Sequence, residues 1–244
     1  MRRSRWLLAI LAGTATVPAY AQSVSVGVEA TTDDRRRGIS WSDGKAAIGA
    51  NAALRLSSGF DIGVRAMTTR DDPRHGGADA AIDLTGGFAR EIGGGFRFDA
   101  FVTGHLFAGA GGKLDYVEGG LGASYALGPA EVGVDARYAP AQSAIGGDNL
   151  WIGARARMGV PMTPLTFTGS VGRSTGSVDD PIRAARLRPG GDYTDWSLGV
   201  DHIVGPLTVG AAYTGTDIGR VSPSPYANAR HTGDKLTARV AVSF

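Results

Sequence analysis

The sequence contains no cysteine, so disulfide bonds and cysteine-based metal or redox chemistry play no part in this protein. It also lacks, after its first 21 residues, any apolar run approaching 18 residues, which excludes a transmembrane helix there. What it has instead is glycine, 38 residues of it, distributed among short runs in which apolar and polar residues alternate. A protein that crosses a membrane with β-strands has this kind of sequence, because only every second residue must be apolar.

The amino-terminal stretch has the pattern of a secretory signal peptide. Three arginines stand among the first five residues, an apolar segment covers residues 6–17, and Ala19-Tyr20-Ala21 fits the small-x-small rule for cleavage. We therefore predict a signal peptide over residues 1–21 and a mature chain that begins at Gln22. A membrane anchor is disfavoured, because the apolar run is too short to span about 30 Å as a helix.

The predicted mature chain also lacks a large net charge. Removal of residues 1–21 takes away three arginines and no acid, so 25 basic residues become 22 against 23 acidic ones. The formal charge then changes from +2 to about −1. The sequence therefore gives no reason to expect nucleic acid as a partner.

The last ten residues alternate without interruption between an apolar face and a polar face. The apolar face consists of Leu236, Ala238, Val240, Val242 and Phe244. A strand turns successive side chains to opposite sides, so this pattern predicts a half-buried terminal strand. Its ending on Phe244 resembles the carboxyl-terminal signal by which the barrel assembly machinery recognises bacterial outer-membrane barrels.

Eleven further segments alternate in the same way, which predicts an all-β transmembrane barrel of about 12 antiparallel up-and-down strands over residues 22–244. The predicted strands are 23–31, 45–56, 60–69, 78–91, 95–107, 113–127, 130–138, 149–160, 165–174, 193–203, 207–216 and 234–244. Short connections follow the even-numbered strands and mostly long ones follow the odd-numbered strands. Short periplasmic turns and long outer loops alternate in this way in bacterial barrels. All 11 prolines fall outside these strands, as expected for a residue that cannot donate to a strand ladder.

Ionic side chains fall on the predicted inward face, where small residues otherwise dominate. A dry core could not hold so many ions, since each would cost several kcal/mol to desolvate, whereas a wet lumen can. The candidates for lining a pore are Arg55, Arg65, Asp83, Arg97, Asp99, Glu118, Asp135, Arg137, Arg155, Arg157 and Arg239. Two arrangements stay open: the charges pair and stabilise the interior, or they form opposed walls whose field selects solutes, with Arg137, Arg155 and Arg157 as a basic wall.

The first long loop carries the most specific motif of the sequence. It comprises Arg37, Gly38, Ile39, Ser40, Ser42, Asp43 and Gly44, followed by a strand of small and apolar residues. This motif resembles the hallmark of the TorF family of porin-type proteins. The resemblance implies an outer-membrane barrel with a transport role and supplies no catalytic residues. From its charges alone, the loop could fold inward as a constriction, bind lipopolysaccharide phosphates, or remain a solvated tip.

The sequence thus predicts a bacterial outer-membrane, porin-like channel for passive diffusion of small hydrophilic solutes or ions. Its expected contacts are outer-membrane lipid, lipopolysaccharide and the small solutes, with no cofactor or metal. One alternative is a closed structural or adhesive barrel. A less favoured one is a barrel hydrolase, which would need a Ser–His or Asp–His site among His75, His105, His202 and His231. The acidic pairs Asp71-Asp72 and Asp179-Asp180 could bind divalent cations, but solvated loop charge is the preferred interpretation.

Overall fold

The computed structural model describes residues 23–219, 221, 224–226 and 230–244, in which twelve antiparallel strands close into a barrel. The predicted signal peptide and Gln22 lie outside the described residues. The barrel strands are β1 (Ser23–Thr31), β2 (Ala47–Arg55), β3 (Phe60–Thr68), β4 (Ala80–Gly93), β5 (Phe96–Ala108), β6 (Tyr116–Leu127), β7 (Ala130–Gln142), β8 (Gly147–Gly159), β9 (Leu165–Thr175), β10 (Tyr193–Val204), β11 (Leu207–Thr216) and β12 (Lys235–Ser243). The predicted fold class is confirmed.

The first and last strands close the barrel against each other. Val28 of β1 lies opposite Val242 of β12, and the backbones of Val26 and Phe244 exchange hydrogen bonds of 3.0 and 2.8 Å. Every other strand pairs with its neighbours in the sequence. Closure gives the first and last strands a neighbour on both sides, as a β-structure in hydrocarbon requires.

The seventh strand departs from the prediction, because it continues past Tyr138 to Gln142 and contains Pro140. The expectation that no proline lies within a strand is therefore wrong. Pro140 lies where the β7–β8 ladder shifts register, between Gly147 and Asn149, so its missing N–H interrupts no regular pairing. On the other side of β7, the Gln142 side chain bonds the backbone N–H and C=O of Val117, at 2.9 and 2.8 Å.

The outward face is apolar, as predicted. Ile48, Leu121, Leu198 and Leu236 are each more than half exposed on the outer wall. Exposed aromatic side chains ring the two ends, where amphipathic rings favour the lipid headgroup zone: Tyr138 and Tyr213 at the outer end, and Phe60, Phe96, Phe167 and Phe244 at the periplasmic end. In the described part of the chain, no helix is long and apolar enough to cross a membrane.

One end of the barrel carries the loops that follow the odd-numbered strands, most of them long, and the other end carries short turns. We name these loops L1 (32–46), L2 (69–79), L3 (109–115), L4 (143–146), L5 (176–192) and L6 (217–234). The long connection predicted for residues 139–148 is wrong, because β7 and β8 extend into it and leave only the short L4. L2 contains a 3₁₀ turn at Pro73–His75, and L5 contains a single helical turn at Pro181–Ala184. The buried apolar cluster lies at this end rather than in mid-barrel, and it includes Trp41, Phe107, Leu114, Tyr116 and Ile145. The loops therefore form a packed lid over the outer mouth.

Candidate functional site in the barrel lumen

Loop L1 folds into the barrel as a small hairpin. Arg35–Arg36 pairs with Ile39–Ser40, and the two residues between them, Arg37 and Gly38, have φ angles of 49° and 74°. Positive φ at both central positions defines a type I′ turn, the turn that suits a tight hairpin. A Cβ on Gly38 would lie 2.5 Å from the carbonyl oxygen of Gly215 on β11, so only glycine lets the tip approach that strand so closely.

The base of the hairpin is held by a buried network of hydroxyl groups around Asp33. The hydroxyls of Ser40 and Ser42 donate to Asp33 Oδ1, at 2.5 and 3.0 Å. The backbone N–H of Gly44 in turn donates to the Ser40 hydroxyl at 2.8 Å, and that of Asp34 to the Ser42 hydroxyl at 2.9 Å. The serines and Gly44 of the L1 motif therefore shape the loop, and of the three possibilities for L1 the structure has the inward fold.

Two adjacent arginines fasten the tip of L1 to the barrel wall. Arg36 Nη1 lies 2.8 Å from Asp83 Oδ2 on β4, and Arg37 Nη2 lies 2.7 Å from Glu118 Oε2 on β6. Arg65 of β3 pairs with Asp34 at 3.0 Å from the other side. Hydrogen-bonded ion pairs of this length are the strong class of polar contact, and they fasten L1 to strands β3, β4 and β6 of the barrel wall.

Burial and charge act in opposite directions on the L1 guanidinium groups. Burial alone would lower the pKa of Arg37, but the charge of Glu118 outweighs it and the pKa is raised. At Arg35, burial dominates over the attraction of Asp33, and the pKa is lowered. Arg37 is thus held as a cation by its partner on the wall.

The hairpin divides the lumen into two polar cavities. The larger, of about 570 Å³, lies on the β2–β8 side, and the smaller, of about 330 Å³, lies against β1 and β10–β12. Arg65, Asp83, Glu118 and Arg137 line the larger cavity, and Arg239 lines the smaller one. L1 itself contributes Asp34, Arg35 and Arg37 to both, so it forms the wall between them.

Several predicted lining residues are paired across strands. Arg155 of β8 contacts Asp135 directly and lies 3.8 Å from Glu131, while Arg239 lies 2.7 Å from Asp201. Of the two arrangements considered for the lumenal charges, the structure therefore has the paired one. Arg137, Arg155 and Arg157 do not form a continuous basic wall. In the periplasmic half, Arg55, Arg97, Asp99 and Arg157 form no ion pair within 4 Å with the residues that the structure describes.

The lumen also contains aromatic residues that were not among the predicted lining residues. Trp151 lies between the outward-facing Leu150 and Ile152, so strand alternation alone places it inside. Its indole Nε1 donates to Asp195 at 2.8 Å. Phe101 also faces inward, and the guanidinium carbon of Arg137 lies 5.1 Å from its ring centre and 5.8 Å from that of Trp151. These two aromatic side chains lie among inward positions that otherwise carry mostly small residues between the charges.

The lid over the outer mouth is joined by one buried arginine of L5. Arg186, 1% exposed, donates to backbone carbonyl oxygens of three other loops: Arg74 in L2 at 3.0 Å, Leu114 in L3 at 2.9 Å, and Ala144 in L4. Burial lowers the pKa of Arg186 to about 10, and the charges of Arg183 and Arg74 add to this effect. His75, stacked on Phe107, has its pKa lowered well below 6.5 by burial and then by Arg74 and Arg186.

His105, Asp72 and Asp180 make contacts that stabilise the lumen wall and the loops. His105 Nδ1 lies 2.7 Å from Asp83 Oδ1, its Nε2 lies 3.6 Å from Glu118 Oε1, and its ring stacks on Tyr116. Asp72 caps the 3₁₀ turn by accepting from the Arg74 N–H, and Asp180 caps the L5 helical turn. The described residues contain no group of three or more His, Asp or Glu arranged to hold a metal ion.

Comparison with solved structures shows that the barrel has the fold of outer-membrane porins. The NanC porin aligns with a TM-score of 0.60 over 90% of this chain and 98% of its own, at 12% identity. The KdgM porin aligns with a TM-score of 0.57 over 90% and 99%, at 8% identity. The COG4313 outer membrane channel from Pseudomonas putida F1 aligns with a TM-score of 0.52 over 93% and 97%, at 13% identity. At these low identities, the structural alignments show a porin-type transmembrane barrel and do not identify a solute.

The sequence matches a protein-family model over residues 15–244, and the chain belongs to that family: "Bacterial protein of unknown function (Gcw_chp)". The search among curated proteins found no match. The porin-type fold that the L1 motif implied is confirmed, whereas the TorF name for the family stays a prediction.

Proposed function

We propose that this member of the Gcw_chp family is an outer-membrane channel through which small hydrophilic solutes or ions diffuse passively. The observation that carries the proposal is the pair of polar cavities on the two sides of L1, inside a barrel that is apolar outside. Channels of this class need a hydrated, charged interior within an apolar wall. L1 is the constriction in this proposal, and it sets which solutes pass.

The proposal extends to how the protein reaches its membrane and what it meets there. Residues 1–21 direct export through the inner membrane, and the terminal Phe244 on the lipid face is recognised by the barrel assembly machinery. The outer leaflet then brings lipopolysaccharide against the loop end. In this proposal the family is the one known as TorF, and the protein is not an enzyme.

Single-channel conductance in a planar bilayer tests the proposal, with protein purified from the outer membrane of an expressing host. Discrete conductance steps are expected. The double variant Arg155→Ala, Arg157→Ala should shift ion selectivity toward cations, because two cationic side chains leave the lumen. Unaltered selectivity would count against these two residues as pore lining. A silent barrel that is folded, as shown by heat-modifiable electrophoretic mobility, would contradict diffusion through the lumen.

The lid favours a second candidate, a closed structural or adhesive barrel. Its contacts join L2, L3, L4 and L5 through Arg186, and the residues beneath it are buried. A closed barrel should stay silent in the bilayer even when the lid is loosened by substitution. Conductance that appears only after such a substitution would instead make the lid a gate of the channel.

A further inference from the structure

We propose that the larger lumenal cavity binds a carboxylated sugar, with its carboxylate on Arg137 and its ring on the face of Trp151. This inference rests on the proposed channel function and names the class of solute that the constriction selects. It is carried by three features of the cavity wall: an excess of cations, an aromatic surface, and hydroxyl groups that surround both.

The arginines that line this cavity outnumber its carboxylates, six against four. Arg36 pairs with Asp83 at 2.8 Å and with Asp34 at 3.4 Å, while Arg37 and Arg137 share the single carboxylate of Glu118. Arg36 Nη2 and Arg137 Nε are buried and have no hydrogen-bond partner among the described residues. Buried cationic donors without partners are costly, so this cavity favours an anion that brings acceptor oxygens.

Arg137 is the cation that is free to take the anion. Its Nη1 lies 3.7 Å from Glu118 Oε1, which is beyond hydrogen-bonding distance, whereas Arg37 holds the same carboxylate at 2.7 Å. The Arg137 side chain is also 41% exposed to the lumen. Phe101 and Trp151 flank its guanidinium and fix its position, so a carboxylate can bind without reordering the side chain.

Trp151 supplies a flat apolar surface beside this arginine. A Cβ on Gly153 or Gly172 would lie 2.3 to 2.4 Å from its ring, so the indole lies flat on the two glycines of the barrel wall. The hydrogen bond to Asp195 fixes the ring in this orientation. The opposite face borders the cavity beside the guanidinium groups of Arg37 and Arg137, whose carbons lie 5.5 and 5.8 Å from the ring centre. There it can stack on the C–H face of a sugar ring whose carboxylate lies on Arg137.

Polar groups that suit a polyol surround the aromatic surface. Asn51, Thr85, Thr103 and Ser170 line the same cavity, together with the carboxylate of Asp195. An aromatic acid would leave these groups without partners, whereas a sugar acid supplies hydroxyls that both donate and accept. The cavity volume of about 570 Å³ lies within the roughly 300–1,000 Å³ typical of small-molecule sites.

Isothermal titration calorimetry of the purified protein in detergent tests the inference, with three probes: D-glucuronate, D-glucose and benzoate. Glucuronate should bind at least about tenfold more tightly than either comparator, because glucose lacks the charge and benzoate lacks the hydroxyls. Arg137→Gln should weaken glucuronate binding about tenfold or more and leave glucose unchanged. Trp151→Leu should weaken both sugars several-fold, because it removes the surface that they share.

Matched controls come from the outer wall. Arg173→Gln and Trp196→Leu remove an arginine and a tryptophan that do not line the larger cavity, and they should leave all three affinities unchanged. Every variant is checked for heat-modifiable mobility, and Trp151→Phe replaces the leucine variant if that one does not fold. Phenylalanine keeps an aromatic face, so it should retain most of the affinity for glucuronate.

The outcomes separate this inference from the channel proposal. Glucuronate that binds no tighter than glucose or benzoate, or binding that Arg137→Gln leaves intact, would overturn the site. Binding that depends on Arg137 and Trp151 in a barrel that is silent in bilayers would support the site and remove the channel. Conductance without any glucuronate binding would overturn the site and retain the channel.

Discussion

The contact that the structure makes easiest to test is the one between Arg186 and the three neighbouring loops. We consider Arg186→Met, which keeps most of the side-chain length and removes the charge and the donors. The three backbone oxygens that Arg186 now satisfies, those of Arg74, Leu114 and Ala144, would lose their partner inside a buried lid. The lid should therefore open more often, while the barrel ladder beneath it is untouched.

The size of the effect follows from the number of acceptors and from the burial of the charge. Each buried acceptor left without a partner costs about 1–3 kcal/mol, so three set an upper range of roughly 3–9 kcal/mol. Arg186 is itself a buried cation, and removing it recovers part of its desolvation cost, so about 3–6 kcal/mol is the better expectation. Since 1.4 kcal/mol is tenfold, the lid should open roughly 10² to 10⁴ times more often.

Hydrogen exchange measures this opening directly. The backbone N–H groups of His75, Ala184 and Gly191 are hydrogen-bonded within the lid, so their exchange should accelerate in Arg186→Met. Amides in the middle of β8 provide the internal reference and should not change. Arg173→Met is the matched control, because that side chain lies outside the lumen. Unchanged lid exchange in a correctly folded Arg186→Met barrel would refute the assignment of Arg186 as the lid's central contact.

Three further predictions concern the hairpin and the lid. Gly38→Ala should strain the L1 turn by about 1–2 kcal/mol and press its Cβ against Gly215, releasing the hairpin; faster exchange of the L1 amides measures this, and unchanged exchange contradicts it. Glu118→Gln should make the channel more anion-selective, because Arg37 and Arg137 lose their shared carboxylate; the reversal potential in a salt gradient reports it, with no shift as the contrary result. The free energy of unfolding should decrease as the pH falls below about 6.5, because of His75. Below that pH the unfolded chain takes up a proton on this imidazole, whereas in the folded protein burial and the neighbouring arginines lower the pKa of His75 and keep its ring neutral. Between pH 7.5 and 5, the thermal midpoint should therefore fall less in His75→Phe than in the wild type. Equal decreases in the two proteins would contradict this role of His75.

Strand number, strand direction and the two faces of the wall could be predicted from the sequence because they depend on local patterns. A period of two sets which side chains face lipid, and turn residues set where a strand ends. The same alternation places Arg65, Asp83, Glu118 and Arg137 inside, where the structure has them. It also places Trp151 inside, and that prediction was available from its two apolar neighbours.

The inward fold of L1, the lid and the pairing of the lumenal charges were decided only by the tertiary structure. The residues of the Arg37–Glu118 pair are 81 positions apart, and Arg186 and the Arg74 carbonyl are 112 positions apart. Such contacts depend on the diameter of the closed barrel and on which strands face each other across it, and no local pattern encodes either. The sequence therefore determined a wall with a wet interior, because burial alternates residue by residue. The folding of L1 into that interior and the lid above it were determined by the closure of the barrel, because closure brings loops that are distant in the sequence together at one end.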